Sequence, residues 1–180
     1  MKNRILSTLL LMMVVITAMG AKKPKYIFYF IGDGMGLSPV LCAETYNQTV
    51  WGNKEPLLML QFPVASVATS YSASHTITDS AAGGTALATG HKTKNGMLGV
   101  DADTVAVKSI AYELQDRGYG IAIATSVAPD DATPGAFYTH VDHRNKFYDI
   151  TKDMAQSGFQ MFAGGQLRGT APQGQPDVRT

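Results

Sequence analysis

The sequence is nearly devoid of cysteine. Cys42 stands alone in 180 residues, which excludes an internal disulfide and any multi-cysteine zinc site. Its setting, Leu37-Ser-Pro-Val-Leu-Cys-Ala-Glu44, predicts a small buried hydrophobe rather than a reactive thiol. There is no surplus of charge either: 15 Lys+Arg against 14 Asp+Glu give +1 at pH 7. Without a basic run, a nucleic-acid binder relying on phosphate neutralisation is excluded as a first reading. A bilayer-spanning helix is missing too, because the apolar run from Ile5 to Met19 falls short of the ~20 residues needed to cross a membrane. Familiar catalytic loops are likewise lacking. No Gly-x-Ser-x-Gly elbow occurs, the glycines after residue 31 have the wrong spacing for a dinucleotide fingerprint, and Gly90-His91-Lys92-Thr93 breaks the P-loop pattern. Asp101-Ala-Asp103 starts like a calcium loop but lacks the later positions.

What is present begins with an address. Lys2 and Arg4, a short apolar centre and the small-residue end Ala18-Met19-Gly20 predict a secretory signal peptide over residues 1–20, with a periplasmic or secreted product; an uncleaved anchor is the alternative. Removing residues 1–20 takes away two cations and no anion, turning the net charge slightly negative. With 45% hydrophobic and 16% charged residues, residues 21–180 can bury a core and are not disordered by composition.

From Lys25 onward strand-like and helix-like patterns alternate. Lys25–Ile31, Val64–Ser70, Gly120–Thr125 and Phe159–Phe162 read as strands. Helices are expected from Ser38-Pro39 towards Tyr46, over Ser80–Thr89 with a stop at Gly90, over Thr104–Arg117 with Asp103 as cap, from Thr133-Pro134 towards His140, and over Phe147–Gln156 before Gly158. Residues 90–103 read as loop. Alternation of this kind predicts an α/β fold with a mostly parallel sheet covered on both faces. The polar end from Gln173 to Thr180 carries no strand or helix pattern, so the sequence is expected to be the N-terminal part of a longer domain.

Ligands of parallel sheets gather at the carboxyl ends of strands, and three polar turns fall at such places. Gly32-Asp33-Gly34 lets backbone approach an ion held by Asp33, or is simply a tight turn. Asp79-Ser80 opens a helix of small residues. Its free N–H groups and dipole suit a phosphate, and Ser80 becomes a nucleophile only if a base or metal activates it; an ordinary helix cap is the other reading. Asp131 and Thr133 add hard oxygens of the kind magnesium accepts. Arg144 fits a bidentate phosphate clamp or a solvated surface position, and His140 and His143 fit supporting or core roles better than metal ligation.

Together these residues resemble the alkaline phosphatase family. The resemblance is carried, in order, by Phe30-Ile-Gly-Asp-Gly-Met-Gly36, Thr78-Asp-Ser-Ala-Ala-Gly-Gly-Thr85, Asp131-Ala-Thr-Pro134, His140, Arg144 and Phe162-Ala-Gly-Gly165. It implies a three-layer sandwich around a mostly parallel sheet, and a phosphate monoester hydrolase with two zinc ions and one magnesium ion. Under this resemblance Ser80 attacks phosphorus and becomes phosphoserine. Asp33 bridges the second zinc and the magnesium, Thr133 binds magnesium, and Asp131 acts beside it through a water. Arg144 clamps the phosphate and Asp79 helps hold Arg144. Small phosphate monoesters are the implied substrates, and a homodimer the common assembly. The family's remaining metal ligands match nothing up to Thr180, so the 180 residues alone are expected to be a half-site with little or no activity. Two other readings stay open: a phosphodiesterase or sulfatase-like member of the same superfamily, and a secreted phosphate- or metal-binding module without turnover.

Overall fold

The computed structural model describes residues 23–172; the signal-peptide expectation over residues 1–20 and the polar terminus from residue 173 lie outside the described residues. The chain divides into two compact units, residues 1–32 and 33–180.

In the first unit the aromatic segment 25–31 forms no strand. It does keep the alternation of an extended chain. The rings of Tyr26 and Phe28, and of Phe28 and Phe30, lie with centroids 6.5 Å apart, the two-residue period of extended backbone. A strand needs a neighbour to exchange backbone hydrogen bonds with, and the segment has none of strand type among the described residues. Phe28 and Phe30 are accordingly exposed.

The second unit begins with α1 (Leu37–Thr49). Its N-cap is Gly36 rather than the expected Ser38, which leaves Pro39 as the third helical residue, where its missing N–H still costs no intrahelical bond. Asn47 is the only buried residue of α1, and Cys42 is exposed, contrary to expectation. After a 3-10 turn at Leu58–Gln61, the expected strand Val64–Ser70 is also missing, with Val64 and Val67 exposed.

From there the reading improves. Helix α2 spans Ser80–Thr89, capped by Asp79 and ended by Gly90 at φ 76°, a left-handed stop that favours glycine. Helix α3 is shorter than expected, Ile110–Asp116, with Ser109 as cap instead of Asp103. The cause is Asp101, whose carboxylate accepts the N–H groups of Asp103 and Val105 at 2.9 Å each and so holds residues 101–105 in a turn. Then come β1 (Ala122–Ala124), the single-turn α4 (Ala132–Gly135) capped by Asp131, α5 (Phe147–Gln156) and β2 (Met161–Ala163). Helix α4 stops short of His140, and residues 136–138 continue as turns. Strands β1 and β2 pair in parallel, Ile123 opposite Phe162, with α4 and α5 in the crossover, as parallel pairing requires. The result is α/β with a parallel sheet, which has two strands among the described residues.

Small residues set the packing that positions the site. A Cβ on Gly84 in α2 would lie 3.1 Å from the Cβ of Ala136 and 3.5 Å from the Cα of Thr133, so α2 rests almost directly on the backbone that follows Asp131. Around this contact lie the buried Ala81, Ala82, Ala88, Leu98, Ala132, Tyr138 and Ile150. Tyr138 is 1% exposed and donates to the carbonyl of Pro129 at 2.6 Å.

Two outcomes follow from this packing. Gly99 sits at φ +62°, and a Cβ there would lie 1.9 Å from the carbonyl oxygen of Thr139. Gly99→Ala is therefore expected to destabilise the fold by about 3 kcal/mol, read as a lower urea midpoint with unchanged slope. Burial, then the nearby Asp130, Asp153 and Tyr112, push the Tyr138 phenol well above its ordinary value. The folded state keeps this proton where the unfolded chain releases it, so its contribution is intact below about pH 10 and lost above, by up to about 1.4 kcal/mol per pH unit. Denaturation series from pH 9 to 11.5 should show that decline, and Tyr138→Phe should make it shallower.

Candidate active site

Asp79, itself in extended conformation, caps α2, its Oδ1 accepting the N–H of Ala82 at 2.9 Å. This cap fixes the backbone at Ser80, the first helical residue, which is half-buried. The other carboxylate oxygen of Asp79 accepts the N–H of Gly96 at 3.0 Å and Arg144 Nη1 at 3.4 Å.

Asp131 plays the matching part at α4. Its Oδ1 accepts the N–H of Ala132 at 2.7 Å and Arg144 Nη2 at 3.2 Å, while its Oδ2 lies 3.1 Å from Arg168 Nη2. The Arg144 guanidinium is thus held between two helix-capping carboxylates, with its side chain 30% exposed. A guanidinium has five N–H donors, so this pairing leaves donors for an incoming anion.

Within the second unit a hydrogen bond spans 100 positions: Thr133 Oγ1 donates to Asp33 Oδ2 at 2.8 Å. Gly34, at φ 67°, makes the turn that presents Asp33. Asp79, Arg144 and Asp131 therefore form one connected group, Asp33 and Thr133 a second, and Asp131 and Thr133 share the first turn of α4. The histidines do not join. His140 is exposed, stacked on Tyr112 with its Nε2 3.3 Å from the carbonyl of Val107. His143, also exposed, accepts the N–H of Asn145 at 3.2 Å.

Sequence reasoning missed four participants. Asn95 and Gly96 lie in the segment read only as loop; their Asn-Gly pair is a turn signal, but nothing local shows that the turn meets Asp79. Arg168 reaches Asp131 from beyond β2. Asp130 is fully buried, its Oδ2 accepting the N–H groups of Arg168 and Gly169 at 2.8 and 2.7 Å, while Oδ1 has no hydrogen-bond partner.

The donor set discriminates between metals. Asp33 and Thr133 supply adjacent hard oxygens suited to magnesium. Zinc wants three or four His, Cys or carboxylate ligands, and no group of three such residues is assembled among the described residues. Asp33 and Thr133 fit the magnesium side, and a zinc site would need ligands beyond those assembled among the described residues.

Comparison with known proteins points to one family. The sequence profile of the alkaline phosphatase family matches residues 24–168. Alkaline phosphatase 4 of Drosophila melanogaster is 31% identical over 162 residues, covering 84% of this chain and 27% of the fly protein. The cold-active alkaline phosphatase of Shewanella sp. superposes with a TM-score of 0.69 at 33% identity, over 78% of this chain and 36% of that one. A variant of the TAB5 alkaline phosphatase with Mg bound in its M3 site superposes with a TM-score of 0.66 at 30% identity, over 76% of this chain and 40% of that one. The chain thus spans a quarter to two-fifths of the length of these relatives. By profile, sequence and superposition, it belongs to the alkaline phosphatase family.

Proposed function

We propose that these residues form the nucleophile-bearing part of a phosphate monoester hydrolase that works through a covalent phosphoserine. The observation that carries this reading is the Arg144 guanidinium held by Asp79, the residue that caps the helix beginning at Ser80. A phosphoryl group bound to Arg144 through two of its oxygens would face the first turn of α2, where unpaired N–H groups favour anionic oxygen.

In the forward step the Ser80 hydroxyl gives its proton to solvent as its Oγ attacks phosphorus, the ester oxygen–phosphorus bond breaks, and the leaving alkoxide takes a proton from water to depart as the alcohol. Water then attacks phosphoserine, restores the hydroxyl and releases inorganic phosphate. Arg144 neutralises charge on the transferring group through both steps. Metal ions, when bound, lower the pKa of the attacking hydroxyl and neutralise phosphoryl oxygens; Asp33 and Thr133 would hold the magnesium. Both oxygens of Asp131 already face arginines, which favours a role beside the magnesium over direct ligation.

The substrates are small phosphate monoesters and the metals two zinc and one magnesium, of which the described residues assemble only part of the ligand set. For that reason the isolated 180-residue segment is expected to turn over little. Export to the periplasm or the medium, directed by residues 1–20, and assembly as a homodimer belong to the same proposal.

The test is p-nitrophenyl phosphate hydrolysis with zinc and magnesium supplied, by the natural polypeptide carrying these residues. Ser80→Ala should lower kcat by at least about 1000-fold, and Arg144→Ala should lower kcat/KM by about 100-fold or more. Acid quenching should trap phosphate on Ser80, which separates turnover from mere binding. Undiminished hydrolysis by Ser80→Ala would sink the proposal, and brisk hydrolysis by the isolated segment would sink the half-site expectation.

A further inference from the structure

The loop at Asn95 and Gly96 ties the Ser80 turn to Arg144. Asn95 Nδ2 donates to the carbonyl of Ile77 at 3.1 Å, and its Oδ1 accepts the N–H of Asp79 at 3.3 Å. One planar amide thereby grips the backbone on both sides of Thr78, immediately before the nucleophile. Only a side chain offering a donor and an acceptor from one group can do this, and the two partners together fix which way the amide faces.

The next residue completes a ring. Gly96 donates its N–H to Asp79 Oδ2 at 3.0 Å, its carbonyl accepts the N–H of Arg144 at 2.6 Å, and Arg144 Nη1 returns to the same Asp79 oxygen. Gly96 adopts φ +92°, a backbone conformation that favours glycine. The loop is itself moored, since the N–H of Asn95 donates to Ser74 Oγ at 3.0 Å.

We infer that Asn95 is a positioning residue for phosphoryl transfer: it sets the backbone from which Ser80 attacks, while Gly96 links that backbone to Arg144. The inference rests on the proposed serine mechanism. The Asn95 side chain bonds the backbone of Ile77 and Asp79, so it acts through the geometry of residues 77–79. Truncation should harm the chemical step more than phosphate binding, because the bonds from Gly96 to Asp79 and Arg144 use main-chain atoms.

The experiment is acid-quenched single turnover in the natural polypeptide with zinc and magnesium, reading phosphate incorporated at Ser80 from p-nitrophenyl phosphate, with inhibition by inorganic phosphate measured in parallel. Asn95→Ala should slow phosphoserine formation about 10- to 100-fold, since displacements near 1 Å cost that much, while the inhibition constant moves by less than about threefold. Thr93→Ala serves as the loop control. Thr93 is fully buried and bonds the carbonyl of Asp101, so its loss loosens the same loop outside the ring and should leave the phosphorylation rate unchanged. A wild-type rate in Asn95→Ala, or an equal slowing in Thr93→Ala, overturns the inference while Ser80→Ala remains inert. Failure of the unmutated polypeptide to form phosphoserine, or turnover by Ser80→Ala, overturns the mechanism beneath it.

Discussion

The arrangement turns on one shared cation. Arg144 is the only group among the described residues that reaches both Asp79 and Asp131, and each of those carboxylates caps a helix. The carboxylates therefore have two tasks that reinforce each other. As caps they accept main-chain N–H groups and set where α2 and α4 begin; as ion-pair partners they orient the guanidinium. Partly exposed ion pairs contribute little to stability, so the value of this one lies in geometry. Moving either helix start moves the cation.

How much of this was legible in the sequence depended on the range over which each feature is decided. Helix α2 could be read to the residue because Asp79 and Gly90 are local signals with local effects, and α5 likewise from Phe147 to Gln156. Strands fared worse. The segments at 25–31 and 64–70 have the right composition, but a strand exists only where a partner ladder meets it, and pairing is not written in the segment. Helix α3 failed for a nearer reason, since the short polar side chain of Asp101 outbid the helical pattern around Thr104. Cys42 illustrates a third kind of miss: its apolar neighbourhood says nothing about whether α1 is covered.

The site shows the same division. Asp33, Ser80, Asp79, Asp131, Thr133 and Arg144 stand out by residue type at turns, and the family resemblance supplied their grouping. In the structure Asp33 meets Thr133 and Asp79 meets Arg144. Asn95, Gly96 and Arg168 escaped notice because their contribution is relational. An amide in a loop is unremarkable until the chain brings it against Ile77 and Asp79, and Arg168 reaches Asp131 only because buried Asp130 anchors the segment carrying it.

The close seat of α2 on the chain around Thr133 and Ala136 limits how such a protein can change. A helix with alanine or glycine at six of its ten positions has little side-chain bulk to trim or enlarge, so the approach of Gly84 to Thr133 and Ala136 sets its depth. Variation in reactivity among related sequences must then enter through the segments that brace this seat from outside, and laboratory selection for altered catalysis should find its permissive positions there rather than in the helix.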